Sequence, residues 1–134
     1  MTIGLICGCF DLFHIGHLNI LKRCKDNCDF LIVGVNTNES IISHKKHKPI
    51  IDEADRLEII KAIRYVNEAY LITKEVDDRI AFCKQHDVNV FFAGDDWKDS
   101  DIFNAIAAAG IKVTFFSYTQ GISSTQLKEK IKDQ

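Results

Sequence analysis

Two histidines, two glycines and an aspartate lie within ten residues near the start of the chain, in the segment GCFDLFHIGH at residues 8–17. His14 and His17 are three residues apart, so they project to the same side if the turn between them is helical. Two imidazoles placed in this way could donate hydrogen bonds to a phosphate as charge builds up on it in a transition state. Asp11 could hold a histidine tautomer or the turn itself. The spacing matches neither a dinucleotide-binding glycine pattern nor a Walker A loop.

The flanking residues predict how this segment is positioned. Residues 3–7 form a short apolar run that is typical of a buried strand, and residues 17–25 have the pattern of an amphipathic helix. Gly8 would let the backbone turn sharply out of the strand. Gly16 would leave room for a phosphate at the start of the helix, where free N–H groups and the helix dipole attract anions.

Further apolar runs and amphipathic patterns alternate along the rest of the chain. They predict strands at residues 30–35, 68–72, 89–93 and 112–116, and helices at residues 53–64, 77–86, 101–109 and 123–131, the last capped by Ser123 or Ser124. This alternation indicates one α/β domain, a Rossmann-like three-layer αβα unit with a five-stranded parallel sheet. Ligands of such sheets bind beyond the carboxyl ends of the strands, where the strand order reverses.

Composition narrows the class of protein. The chain has 134 residues, of which 46% are hydrophobic and 27% charged, with a net charge of −2. These values indicate a globular domain without a basic field for nucleic acid, and no apolar run is long enough for membrane insertion. The five cysteines are expected to be free thiols in a cytoplasmic protein. Cys24 and Cys28 have no further metal ligands at a usual spacing, so no metal site is predicted.

A basic segment, SHKKHKP at residues 43–49, is predicted to be a loop. A flexible basic loop suits a lid that closes on anions. A solvated surface loop is the alternative, and a metal site at His44 and His47 is a less favoured one.

These motifs resemble the cytidylyltransferase-like nucleotidyltransferases, and within them the bacterial glycerol-3-phosphate cytidylyltransferases. The segment GCFDLFHIGH is similar to the family signature GxFDxxHxGH. RYVNE at residues 64–68, GDDW at residues 94–97 and GISST at residues 121–125 are similar to the family segments RYVDE, GDDW and GISTT. The pairing of GDDW with GISST favours the cytidylyltransferase branch.

The resemblance implies in-line attack of an alcohol phosphate on the α-phosphorus of CTP, which gives a CDP-alcohol and pyrophosphate without a covalent enzyme intermediate. Magnesium is expected with CTP, held by phosphate oxygens and water. The catalytic residues implied are His14, His17, Lys46 and Arg64. Nucleotide contacts are expected at Gly8, Cys9, Phe10, Asp11, His14, Gly16, His17, Lys48, Asp95, Thr119, Gly121, Ile122, Ser123 and Ser124. Lys45 competes with Lys46 for its place in the family's KxK loop.

Two departures from the family pattern concern the acceptor. Tyr118 stands where the family has an arginine, and residues 73–78, TKEVDD, lack the family's aromatic residue. Arg79 or Lys74 could supply the missing charge. Acceptor contacts are therefore expected at Lys46, Arg64, Arg79 and Tyr118. Glycerol 3-phosphate is the first choice of acceptor, followed by another polyol phosphate or an amino-alcohol phosphate.

Three further expectations remain open at this point. An adenylyltransferase of the same superfamily, acting on a phosphorylated sugar or cofactor precursor, is the main alternative. A nucleotide-sensing module without activity is a weaker one. The resemblance also implies a homodimer, with residues 64–67 at a plausible interface.

Overall fold

The computed structural model describes residues 1–45, 47–119 and 121–134. The strands are β1 (Ile3–Gly8), β2 (Phe30–Asn36), β3 (Glu68–Ile72), β4 (Val90–Gly94) and β5 (Lys112–Phe116). The helices are α1 (Ile15–Asp26), α2 (Asn38–Lys45), α3 (Glu53–Lys61), α4 (Val76–Gln85), α5 (Asp101–Ala108) and α6 (Ser124–Lys132). A 3-10 turn, Asp95–Trp97, follows β4.

The five strands form one parallel sheet in the order β3-β2-β1-β4-β5. The order reverses between β1 and β4, because the chain moves outward from β1 to β3 and then returns to the other side of β1. Leu5 shows this central place of β1, since it pairs with Ile32 on one side and with Phe91 on the other. The predicted fold class is confirmed, and the reversal point puts residues 8–17 where a ligand should bind.

Both faces of the sheet are buried, as the unbroken apolar runs of the strands predict. One face packs Val33 and Phe92 against α1 and α3 residues such as Leu21 and Ile60. The other face packs Leu5 against the helices α4 and α5. Each predicted strand boundary lies within one residue of the observed one. No helix in the described part of the chain is long and apolar enough to cross a membrane.

The helix α2 was not predicted, and residues 43–45 of the predicted basic loop lie in it. This helix is polar and eight residues long, and among its residues of described burial Ile41 alone belongs to the hydrophobic core. Its start is fixed locally, because Thr37 Oγ1 accepts a hydrogen bond from the Ser40 N–H at 3.2 Å. A helix with so little apolar surface gives almost no periodic signal.

Arg56 of α3 is fully buried and holds together the chain segments at the carboxyl edge of the sheet. Its guanidinium donates hydrogen bonds to the carbonyls of Cys9 (2.8 Å), Asn36 (2.8 Å) and Ile51 (2.9 Å). A fourth donor reaches Asn38 Oδ1 at 2.7 Å. The rigid fork of an arginine can serve four acceptors from separate segments at once, which a lysine cannot do.

We expect Arg56→Met to lower the free energy of unfolding by at least about 3 kcal/mol, because three carbonyls, that of Asn36 buried and those of Cys9 and Ile51 part-buried, would lose their donors. Urea unfolding followed by circular dichroism measures this loss. Arg23→Met is the matched control, since the exposed Arg23 also donates to a backbone carbonyl, that of Ser117 at 3.0 Å. Equal losses in the two variants would contradict the role that we give to Arg56.

Candidate active site

The turn after β1 is built from residues in an uncommon backbone conformation. Phe10 has a φ of 54° and Leu12 a φ of 50°, so two residues with side chains adopt the left-handed region. The chain then enters α1 with His14 as its N-cap. Backbone strain of this kind persists only where the surroundings fix it, and it is concentrated at functional sites.

The two histidines cap the helix α1 and stack on each other. His14 Nδ1 accepts the Gly16 N–H at 3.0 Å, and His17 Nδ1 accepts the His14 N–H at 3.2 Å. The ring centroids are 3.9 Å apart, with an interplanar angle of 24°. The prediction that the two imidazoles share one side of the helix is confirmed.

These hydrogen bonds fix the tautomer of both rings. Because each Nδ1 accepts from a backbone N–H, the ring proton of each neutral histidine lies on Nε2. Burial, reinforced by the nearby His14, lowers the pKa of His17 to about 4, while Asp11 acts weakly in the opposite direction. Burial also lowers the pKa of His14. Near neutral pH the pair therefore offers neutral Nε2–H donors.

Gly16 leaves room for the imidazole of His14. A Cβ atom at this position would lie 2.8 Å from Cε1 of His14 and 3.3 Å from a methyl carbon of Ile122. We expected this space to admit a phosphate, whereas in the structure it is filled by the His14 ring and by Ile122. Any side chain at position 16 would displace the imidazole of His14, which is a predicted catalytic residue.

Two adjoining cavities meet at His17. A cavity of about 320 Å³ is lined by residues from the N-termini of α1 and α6, and a second of about 510 Å³ extends over the ends of β1, β2 and β4. His17, Ile20 and Tyr118 line both of them. The smaller cavity also contacts His14, Gly16, Thr119, Ile122, Ser123 and Ser124. The larger cavity contacts Gly8, Phe10, Asn36, Lys74, Arg79 and Gly94, among others.

Two helix N-termini therefore converge on the smaller cavity. The N-cap of α6 is Ser123, which accepts the Gln126 N–H at 3.0 Å. Gly121, with a φ of 81°, makes the turn into this helix. Converging N-termini supply N–H donors and positive dipole ends, which suit a phosphate chain.

Asp11 connects the turn after β1 to two distant segments. Its buried carboxylate accepts the N–H groups of Ile50 (2.8 Å) and Ile51 (2.9 Å) and lies 3.6 Å from Nζ of Lys128. Its carbonyl accepts the hydroxyl of Ser124 at 2.6 Å. The carboxylate fixes the two residues that directly follow the basic segment, and the histidine tautomers are set by backbone N–H groups. Of the two roles considered for Asp11, the structure supports the one that fixes a turn.

The basic segment is described only in part. Lys46 lies outside the described residues. Lys48 is exposed, and its charge, after the hydrogen bond from Asn38, helps to lower the pKa of Asp52 at the start of α3. Lys48 therefore lies near Asp52, which is the N-cap of α3. Asp52 accepts a hydrogen bond from Asn38, which follows β2, so Lys48 lies at the carboxyl edge of the sheet.

Tyr118 crosses the cleft between the two cavities. Its hydroxyl donates to Asp96 Oδ1 at 2.9 Å, and a Cβ atom on Gly94 would overlap its hydroxyl oxygen. Burial, followed by the contact with Asp96, raises the pKa of Tyr118 above its usual range, so the phenol stays neutral. Asp95 is exposed in the 3-10 turn beside Asp96.

Arg64 is not brought to the histidines, and its predicted place must be corrected. The helix α3 starts at the carboxyl edge of the sheet and runs to the amino edge, and Arg64 follows its end. There its guanidinium donates to the hydroxyl of Tyr65 at 2.9 Å, and both lie at the surface. The sequence predicts that a helix ends near Arg64, but it does not indicate at which edge of the sheet that end lies.

Sequence reasoning missed Arg56 and Asn36. Asn36 ends a buried strand, and this position was a usable signal, since polar residues at carboxyl ends face ligands. Arg56 gave no such signal, because a charged residue in an amphipathic helix is normally exposed.

The fold and the site together define a nucleotidyltransferase-like α/β domain, with a strand-order reversal that carries paired imidazoles between two cavities. The chain belongs to the cytidylyltransferase-like family, whose model matches residues 5–130.

Individual relatives agree with this placement. The chain is 37% identical to a glycerol-3-phosphate cytidylyltransferase of Bacillus spizizenii, over 91% of each chain. It is 35% identical to an ethanolamine-phosphate cytidylyltransferase of Dictyostelium discoideum, over 90% of this chain and 34% of that one. The solved structure of a lipopolysaccharide core biosynthesis protein from Thermoplasma volcanium has a TM-score of 0.72 and 26% identity, covering 89% of this chain and 97% of that chain.

We expect the His17 ring to stay neutral down to acidic pH, with a titration midpoint near pH 4 instead of the usual 6.5. Between these values the unfolded chain binds more protons than the folded one, so the free energy of unfolding should fall as pH drops from about 6.5 to about 4. Proton NMR of the ring measures the midpoint, and urea unfolding at about pH 7 and pH 5 measures the loss. His17→Asn should reduce that loss, and a ring midpoint above about 6 would contradict the hydrogen-bond assignment.

Proposed function

We propose that this protein transfers a cytidylyl group from CTP to the phosphate of a small alcohol phosphate and releases pyrophosphate. Glycerol 3-phosphate is the first choice of acceptor. The observation that carries the proposal is the stacked pair of imidazoles of His14 and His17, of which His14 lines the smaller cavity and His17 lines both. Relatives of this chain named as cytidylyltransferases for glycerol 3-phosphate and for ethanolamine phosphate support it.

The arrangement suits a direct transfer. The phosphates of CTP would lie in the smaller cavity, against the N-termini of α1 and α6, with the α-phosphorus at His17. An oxygen of the acceptor phosphate would attack from the larger cavity. A new P–O bond to the α-phosphorus forms, the bond to the β-phosphate oxygen breaks, and the electron pair leaves on pyrophosphate.

Neutral imidazoles fit this chemistry. A phosphate monoester is largely a dianion at pH 7, because its second pKa is about 6, so the nucleophile needs no general base. The Nε2–H groups of His14 and His17 instead stabilise the extra negative charge on the oxygens of the five-coordinate α-phosphorus. Backbone N–H groups hold both rings in place before the substrate arrives, so the donors need no reorganisation during the reaction.

The lysines of the basic segment would complete the charge neutralisation. Asp11 anchors residues 50 and 51, directly after this segment, to the turn that carries the histidines. Lys46 and Lys48 are proposed to contact the phosphates of the acceptor and of CTP.

Magnesium is proposed to accompany CTP. It would supply charge neutralisation for the triphosphate and the leaving pyrophosphate. Among the described residues, no group of three or more His, Cys, Asp or Glu side chains is arranged to hold a metal ion. The carboxylate of Asp11 is occupied by two N–H groups and by Lys128. The ligands proposed for Mg²⁺ are therefore phosphate oxygens and water.

We also propose that the protein is a cytoplasmic homodimer, with residues 64–67 at the interface. The exposed Arg64 and the half-buried Tyr65 lie at the amino edge of the sheet, so an interface there would leave the active site clear. Analytical sedimentation should give about twice the mass of one chain, and a monomer at all concentrations would contradict the dimer.

The decisive test is a panel of nucleotides and acceptors scored by pyrophosphate release. We expect CTP to outperform ATP, and a higher turnover with ATP would favour the adenylyltransferase alternative.

We expect His17→Ala to lower kcat by about 100-fold or more, because one preorganised donor to the transition state is lost. CTP binding measured by calorimetry should change only a few-fold.

His86→Ala is the matched control for the histidine variant. His86 stacks on Phe82 at the end of α4, with ring centroids 4.1 Å apart, and lines neither cavity. This control should retain normal kcat. Unchanged turnover in His17→Ala would contradict the assigned role of His17.

A further inference from the structure

The larger cavity contains a buried arginine that uses only part of its hydrogen-bonding capacity. Arg79 of α4 is 8% exposed. Its Nε donates to the Thr73 carbonyl at 3.2 Å, and its Nη2 donates to Asn36 Oδ1 at 3.0 Å. Within the described parts of the chain, Nη1 donates to no protein atom. Every fully buried side-chain nitrogen or oxygen in these parts has a hydrogen-bond partner, so the unpaired Nη1 is not fully buried. Nη1 is therefore open to the cavity that Arg79 lines.

Asn36 adds a second donor beside this guanidinium. It is 4% exposed at the end of β2 and lines the same cavity. Its Oδ1 is taken by Arg79, so its amide NH₂ is the group that remains for a ligand. Its backbone carbonyl is fixed by Arg56 at 2.8 Å. The donors of Arg79 and Asn36 are thus held in place by the core of the protein.

The charge of this cavity is unbalanced. Among the described residues that line it, Arg79 is a buried cation and none is an aspartate or glutamate. Asp78, at the start of α4, is engaged with the hydroxyl of Thr73. A buried cation with open donors is costly unless an anion completes it. A guanidinium edge with an adjacent amide matches the two oxygens of a phosphate or a carboxylate.

We propose that Arg79 and Asn36 form an oxyanion site that binds an acidic group of the acceptor. This inference rests on the proposed function, since it assumes that the acceptor occupies the larger cavity. The acidic group is either the reacting phosphate or a second acid at the other end of the acceptor. The second source would make the substrate a phosphorylated hydroxy acid instead of a simple polyol phosphate.

Steady-state kinetics with two acceptors distinguish these sources. Glycerol 3-phosphate carries one acidic group, and 3-phosphoglycerate carries a phosphate and a carboxylate. If Arg79 holds the reacting phosphate, Arg79→Gln should raise KM for both acceptors by about 10- to 100-fold, the range for a lost charged hydrogen bond. If it holds a second acid, only 3-phosphoglycerate should be affected. In either case KM for CTP should stay within about twofold.

Lys84→Gln is the matched control, because Lys84 is an exposed cation on the same helix and its loss changes net charge equally. It should leave both acceptor KM values unchanged. Arg79→Lys should recover part of the effect, since it keeps the charge but loses the fork. Equal rises of KM for CTP and for the acceptors, or no rise at all, would overturn the proposal.

Asn36→Asp gives a second variant that retains the anchor of Arg79. An aspartate oxygen can still accept from Nη2, but its charge would neutralise the guanidinium and repel an oxyanion. The readout is calorimetric binding of inorganic phosphate to protein saturated with CMP, whose own phosphate occupies the histidine site. The wild type and Lys84→Gln should bind phosphate, and Asn36→Asp and Arg79→Gln should bind it at least about tenfold more weakly.

The outcomes separate the two proposals. Failure of the wild type to bind CMP or to use CTP with any acceptor would count against the proposed function. Phosphate binding that is equally strong in Asn36→Asp, Arg79→Gln and the wild type would count against the oxyanion site alone.

Discussion

The hydrogen bonds of one buried guanidinium determine the geometry of the carboxyl edge of the sheet. Arg56 contacts the turn after β1, the end of β2, and the segment that leads into α3. No carboxylate forms an ion pair with it within the described residues, so carbonyl dipoles alone compensate its charge. Charge-assisted bonds of this kind are strong and directional. They fix three segments that are distant in sequence, and the site is assembled on them.

The site depends on the same edge through two connected contacts. Asn36 accepts from Arg79 through its side chain and from Arg56 through its backbone. Asp11, two residues after Cys9, holds residues 50 and 51 and the start of α6. The residues around the two cavities thus belong to one hydrogen-bonded framework. The histidines add a local constraint, since their Nδ1 atoms both cap α1 and orient the Nε2–H groups.

Much of the fold could be predicted because buried strands and amphipathic helices leave periodic signals. The missed helix α2 contributes Ile41 to the hydrophobic core and is otherwise mostly polar in sequence, so its sequence resembles a polar loop. The histidine turn could be predicted because its chemistry is local. The partners of Asp11 could not be predicted, since even the nearest of them lies 39 residues away in the sequence. Arg64 was misplaced for a related reason, because local sequence does not record the direction of α3 across the sheet.

The contact between Tyr118 and Gly94 limits the order in which these two positions can change. The phenol rests where a side chain at residue 94 would begin. A methyl group at residue 94 can therefore be accepted only after residue 118 has become smaller or has turned away. The reverse order is open, because shortening residue 118 leaves Gly94 undisturbed. Chains that keep this tyrosine in the same place are therefore expected to keep the glycine.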